Sequence, residues 1–105
     1  PNYMNHAFYR VYVSIKLENL KKSWTRDRVI EEINAKGVPC FSGSCPEIYN
    51  ERAIKNSGYS PKKRLPNAKL LGENSLAFLC HPTLHLKDLK FMNKTIKSVL
   101  YQASK

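Results

Sequence analysis

The sequence has 105 residues, 42% of them hydrophobic, which is enough for one domain with a single modest core. Its formal net charge is +10, and the residues after position 50 carry most of the excess, with eleven Lys and Arg against three acidic residues. No apolar run approaches the roughly 20 residues of a membrane-spanning helix, and the first ten residues lack the pattern of a secretory signal. We therefore expect a cytoplasmic protein without membrane contact.

In chain order, the first half predicts a strand, a helix and a second strand. Residues 8–17 alternate between apolar and polar positions, and this period of two predicts a strand with one buried face. Thr25 is typical of a helix N-cap, and a helix is predicted over residues 25–36. Gly37 provides the left-handed stop, after which residues 38–42 form a short second strand.

The second half predicts two further helices and one strand. Residues 46–66 contain glycine and proline at positions that make a long regular element improbable. A brief helix is predicted over residues 67–73, a buried strand over residues 75–80 and an amphipathic helix over residues 86–103. The predicted fold class is α+β, with a small antiparallel or mixed three-stranded sheet and the helices packed mainly on one face.

The three cysteines could in principle bind a metal ion or act as nucleophiles. Cys40, Cys45 and Cys80 are an odd number without paired spacing, which is typical of a reducing compartment. With His81 they make four potential zinc ligands, but no C-x-x-C pair is present, and neighbours on a strand point to opposite faces. We therefore predict no metal site. A Cys45 nucleophile activated by His81 lacks the known hydrolase signatures, so a buried or pocket-edge cysteine is the preferred interpretation.

The loop after the second predicted strand is the strongest candidate for a ligand-binding surface. Ser42, Gly43, Ser44 and Cys45 offer little apolar surface for a core, and loops on a rigid scaffold often carry function. Glu47 has no carboxylate partner nearby, which argues against paired-carboxylate chemistry. Phosphate-binding glycine motifs are also absent from the sequence. The residues alone therefore indicate a small domain that presents a Ser/Gly/Cys loop and a His-Pro strand end.

The basic surplus leaves a second class of function open. Lys62, Lys63 and Arg64 are consecutive, yet only Tyr59 nearby offers an aromatic ring for base stacking. A solvated loop, or a contact to another part of a larger protein, is the preferred interpretation of this cluster. A stand-alone basic module that binds nucleic acid or an acidic partner is the alternative, with nucleic acid the less favoured ligand.

Six short motifs follow one another in an order that matches a known family. They lie at residues 9–13, 25–27, 37–39, 43–49, 65–68 and 81–84. Their order and spacing resemble the C-terminal part of the DegT/DnrJ/EryC1/StrS aminotransferases. These are fold-type I pyridoxal-phosphate enzymes that usually aminate nucleotide-linked keto-sugars. The resemblance covers nearly the whole chain.

The resemblance implies that residues 1–105 are one domain, the C-terminal small domain of a longer, homodimeric aminotransferase. It implies that pyridoxal phosphate is held mainly by an N-terminal large domain, which also supplies the Schiff-base lysine. The chain alone is therefore expected to contain no catalytic residue and to be inactive. By the same resemblance, a small-molecule substrate would be contacted by Ser42, Gly43, Ser44, Cys45, Glu47 and His81. A degenerate remnant of such an enzyme is a further alternative.

The chain departs from the family pattern in its loop. Ser44 and Cys45 stand where many members have a bulkier His-Tyr pair, which indicates a different amino acceptor. His81, which precedes Pro82, stands where members of the family have His or Tyr followed by proline. The loop after the second strand and the end of the third strand are thus both expected to face the substrate side of the cleft.

Overall fold

The computed structural model describes residues 2–3 and 7–105, and its α+β architecture confirms the predicted fold class. The strands are β1 (Arg10–Ser14), β2 (Cys40–Ser42) and β3 (Ser75–Leu79). The helices are α1 (Arg26–Ala35), α2 (Arg52–Ser57), α3 (Pro66–Asn74) and α4 (Leu86–Ala103), with short 3-10 turns at Leu17–Asn19 and Ile48–Asn50. Within the described residues, no helix is long and apolar enough to cross a bilayer. Helix α2 and the preceding 3-10 turn overlap residues 47–55, where the sequence allows a short helical turn within an otherwise irregular region.

The sheet is fully antiparallel, and its strand order is β1–β3–β2. The last strand along the chain is therefore the central one. Its consecutive residues Leu76, Ala77 and Phe78 are all buried, which explains why β3 reads as a continuous apolar run. A central strand has neighbours on both edges and so tolerates few polar side chains.

The core lies between one face of this sheet and helices α1 and α4. Its buried side chains come from α1 (Val29, Ile33), β2 (Cys40), β3 (Leu76, Phe78) and α4 (Val99, Ala103), with Leu20 and Val38 from the connections. Helix α1 begins at Thr25, whose side chain accepts a hydrogen bond from the Arg28 N–H at 3.1 Å. Gly37, at a φ of 82°, follows its end in the left-handed conformation.

Strand β1 differs from the sequence prediction in length and in burial. It is ordered as a strand over five residues instead of residues 8–17. Val11 and Val13 lie opposite the core residues Phe78 and Leu76, so they are on the predicted core side of the sheet, but they remain 38% and 39% exposed and are less buried than the pattern predicts. The reason is position: β1 is an edge strand, whereas α1 packs against β2 and β3. Ile15, just beyond the strand, does pack against the core.

Candidate functional site

The Ser/Gly loop is held tightly between β3 and α3. A β-carbon on Gly43 would overlap the Ser75 hydroxyl and lie 3.1 Å from the Ser75 β-carbon. On α3, a β-carbon on Gly72 would lie 2.5 Å from the Pro46 Cγ. Both glycines therefore permit a close approach that any larger residue would disturb. These contacts place the loop beside the start of β3.

An open cavity of about 470 Å³ lies against this loop. It is lined by Tyr12, Val13, Ser14, Gly43, Ser44, Cys45, Pro46, Leu71 and Ser75. The hydroxyl oxygens of Tyr12 and Ser44 are 2.9 Å apart and form a hydrogen bond across the cavity mouth. Ser42, also predicted to bind substrate, belongs to β2 and lines a separate groove with Asp27 and Phe41. A cavity with four hydroxyl groups and several apolar walls suits a small polar molecule.

Strand β2, from which the loop departs, is fixed by a residue that the sequence reading missed. The Asn34 side-chain amide donates to the Cys40 carbonyl at 2.7 Å and accepts from the Cys40 N–H at 3.0 Å. It thus bonds both main-chain groups of one strand residue, as a neighbouring strand would. An asparagine in the last turn of a helix, six residues before a strand, was the only available signal.

Glu47 anchors the far end of the loop. Its Oε1 accepts from the Tyr49 hydroxyl at 2.5 Å and from Arg64 Nε at 2.6 Å, while its Oε2 accepts from Arg64 Nη2 at 2.5 Å. These bonds, first to Arg64 and then to Tyr49, lower the pKa of Glu47 to about 2. The Tyr49 hydroxyl also accepts from the Leu65 N–H at 3.0 Å, so the network reaches the start of α3. Both carboxylate oxygens are engaged inside the chain, which makes Glu47 a positioning residue in this arrangement.

Cys45 carries a protonated thiol rather than an activated thiolate. Loss of solvation, followed by a 3.5 Å hydrogen bond to the Glu51 carboxylate, raises its pKa above the ordinary value. Cys40 is buried in the core, and burial raises its pKa to about 11. Neither thiol is therefore prepared for nucleophilic attack. Within residues 2–3 and 7–105, no group of three or more His, Cys, Asp or Glu side chains is placed to bind a metal ion.

His81 lies at the opposite end of the central strand from the loop. It follows β3, whereas Gly43 and Ser75 meet where β3 begins, and a five-residue strand spans roughly 16 Å. His81 Nδ1 is 2.7 Å from the Thr83 hydroxyl and lines a second cavity of about 490 Å³ with Phe8 and Leu89. The described residues therefore do not bring His81 and the loop into a common cavity. Only the antiparallel pairing of β2 with β3 reveals this separation.

Two cations in the basic region are engaged in ion pairs. Arg64 is bound by Glu47, and Lys69 Nζ lies 3.2 Å from a Glu73 carboxylate oxygen one helical turn away. These pairs reduce the positive charge that this part of the chain presents to an anionic partner.

Comparison with known proteins finds a similarity to a solved aminotransferase structure. No protein-family model and no curated protein matches the chain. The chain is similar to a solved X-ray structure, that of the aminotransferase from Psychrobacter cryohalolentis, with a TM-score of 0.89 and 50% sequence identity. The match covers 94% of this chain and 25% of that one. The chain thus has the fold and sequence character of one part of an aminotransferase and spans a quarter of that enzyme's length.

Proposed function

We propose that this chain is the C-terminal small domain of a pyridoxal-phosphate-dependent aminotransferase and that its Ser/Gly loop forms part of the substrate site. The observation that carries the proposal is the 50% identity to an aminotransferase over 94% of the chain. At that identity, fold and general chemistry are usually shared. Order and spacing of the six motifs support the narrower assignment to the DegT/DnrJ/EryC1/StrS group.

In this proposal the cofactor is held by the rest of the enzyme. The cavity beside the loop is lined by hydroxyl groups, apolar side chains and a protonated thiol, with no lysine among its lining residues. It therefore offers no lysine amine to which pyridoxal phosphate could be covalently attached. When bound, the cofactor supplies the electron sink for amino transfer, and the protein positions the substrate. The Schiff-base lysine would come from a large N-terminal domain, and the complete enzyme would be a homodimer.

The role of this chain is then to orient the amino acceptor. The Tyr12 and Ser44 hydroxyls, already 2.9 Å apart, can exchange their mutual hydrogen bond for bonds to substrate hydroxyls. Such a pair supports a polyhydroxylated acceptor of the nucleotide-linked keto-sugar class, and the presence of Ser44 and Cys45 in place of the His-Tyr pair then concerns which member of that class is bound. The Glu47–Arg64 pair holds the following segment in place and so keeps Ser44 at the cavity mouth.

The proposal is tested on the complete enzyme that contains this chain. Loaded with pyridoxal phosphate, it should transfer an amino group from an amino acid to a nucleotide-linked keto-sugar. Tyr12→Phe and Ser44→Ala should each raise KM for the acceptor about 3- to 10-fold, the value of one hydrogen bond. The matched controls, Tyr101→Phe and Ser98→Ala on the exposed surface of α4, should leave KM unchanged.

Three results would contradict it. A complete protein without a Schiff-base lysine, or without transaminase activity, would favour a degenerate remnant. Unchanged KM in both Tyr12→Phe and Ser44→Ala would remove this pair, and the loop that carries Ser44, from the substrate site. RNA binding by this chain at submicromolar concentration that persists in moderate salt would favour the alternative module, to which the net charge of +10 points.

A further inference from the structure

The end of α3 touches the Ser/Gly loop at both of its sides. Gly43, at the start of the loop, lies against the Ser75 side chain. Pro46, which follows the loop, lies against Gly72, so one short segment supports the loop twice. Ser75 caps α3, and its N–H donates to the Leu71 carbonyl, which ties this segment to the helix. The shape of the segment therefore decides where the residues between the two contacts are held.

Gly72 is required by this contact and not by its backbone conformation. Among the described glycines, only Gly37 and Gly58 have a positive φ, so alanine could adopt the backbone of Gly72. Helix propensity also favours alanine in the interior of a helix. The obstacle is the Pro46 ring, whose Cγ would lie 2.5 Å from an added β-carbon. That distance is about 1 Å short of the roughly 3.5 Å at which carbon atoms normally meet. Because the proline ring cannot rotate away, the backbone of Pro46 would have to move.

A movement of Pro46 would be passed to the loop that carries Ser44. On the other side of Pro46, both oxygens of the Glu47 carboxylate are bound to Arg64, at 2.6 and 2.5 Å. At the start of the loop, Gly43 has no room to move closer to β3. The residues between these fixed points must therefore take up the movement. A shift of about 1 Å would take the Ser44 hydroxyl, now 2.9 Å from its partner across the cavity, beyond hydrogen-bond distance.

We propose that Gly72 is a positioning residue for the amino acceptor. It admits the Pro46 ring against α3 and thereby sets the place of the Ser44 hydroxyl in the cavity of about 470 Å³. Gly72 does not itself line that cavity, so its effect on a ligand must pass through its neighbours. The inference rests on the proposed function and deepens it, because it names the contact that determines where the acceptor is held.

Alanine variants of the complete enzyme test this role. Gly72→Ala should raise KM for the acceptor about 3- to 10-fold, as Ser44→Ala does, because the same hydrogen bond is lost. In the Ser44→Ala background, Gly72→Ala should change KM less than about twofold, since the two changes act through one contact and are not additive. The same small effect is expected in the Pro46→Ala background, because the β-carbon that alanine keeps would lie at an ordinary 3.5 Å.

The alkylation rate of Cys45 gives a second measurement, which does not depend on activity. The Cys45 thiol donates to the Glu51 carboxylate at 3.5 Å, and this bond disfavours the reactive thiolate. That distance is already a contact distance for sulfur and oxygen, so a shift of the loop lengthens it. Gly72→Ala should therefore speed alkylation by iodoacetamide about two- to threefold, as read by mass spectrometry, and should not do so in the Pro46→Ala background.

A variant that fails to fold still leaves the contact testable. If Gly72→Ala does not fold, adding Pro46→Ala should restore folding, because it removes the atom that overlaps. Pro46→Ala alone opens a gap instead of a clash, and the loosened loop should raise the acceptor KM about threefold. Failure of the double variant to fold, or an unchanged KM in Pro46→Ala, would then overturn the inference.

The remaining outcomes separate the inference from the proposed function. An acceptor KM within twofold of the unchanged enzyme in Gly72→Ala would overturn the inference, whether or not alkylation is faster. An equal rise of KM in all three backgrounds would also overturn it, since that result indicates a general loss of structure. An active enzyme that is insensitive to Gly72→Ala contradicts only the inference. A complete enzyme without transaminase activity contradicts the proposed function, and the alkylation rates still test the contact between Gly72 and Pro46.

Discussion

Replacing Asn34 with alanine should loosen β2 and the loop that follows it. The change removes two hydrogen bonds to Cys40, of 2.7 and 3.0 Å, each contributing about 1 kcal/mol net. The higher helix propensity of alanine restores about 0.5 kcal/mol, so the free energy of unfolding should fall by about 1.5 kcal/mol. This corresponds to about a tenfold faster opening at Cys40 and a fall in Tm of roughly 6 to 12 °C for a domain of this size.

Hydrogen exchange of the Cys40 amide, together with urea unfolding followed by circular dichroism, measures both effects. The matched control is Asn93→Ala, an asparagine exposed on α4, where only the propensity gain is expected. A Cys40 amide that exchanges at the same rate in Asn34→Ala and in the unchanged protein would refute the reasoning. So would equal stabilities of the two alanine variants.

Two further predictions concern the loop. Because the pKa of Glu47 is lowered to about 2 from an ordinary 4.5, its pair with Arg64 stabilises the fold above pH 4.5, and this contribution is lost as the pH falls toward 2. An NMR titration of the Glu47 carboxyl should show a midpoint near that lowered pKa, and a midpoint near 4.5 would be inconsistent with the network. Glu47→Gln should remove the part of the pH dependence of the unfolding free energy that comes from this carboxyl. The raised pKa of Cys45 should make its alkylation by iodoacetamide at pH 8 slower than in the urea-unfolded chain. Glu51→Gln should speed the alkylation of Cys45, whereas the surface control Glu31→Gln should not. Faster alkylation in the folded chain than in the unfolded chain would contradict a raised pKa for Cys45.

The sequence by itself determined the elements whose signals are local. The helix over residues 86–103 was predicted with its observed bounds, and the left-handed Gly37 was placed after the first helix. The apolar run at residues 75–80 was recognised as a buried strand. Such features depend on side-chain periodicity and on caps within a few residues of each other, so neighbouring positions are sufficient to specify them.

Only the tertiary structure decided which of these elements meet. The order β1–β3–β2 makes β3 central and leaves Val11 and Val13 partly exposed on an edge strand. The same antiparallel order places the Ser/Gly loop and His81 at opposite ends of β3, although the sequence suggested one cleft. The bonds from Asn34 to Cys40 also appear only once α1 and β2 are packed together. Strand pairing joins residues far apart in the chain, and its outcome is set by which faces can be buried together, a property that no single segment carries.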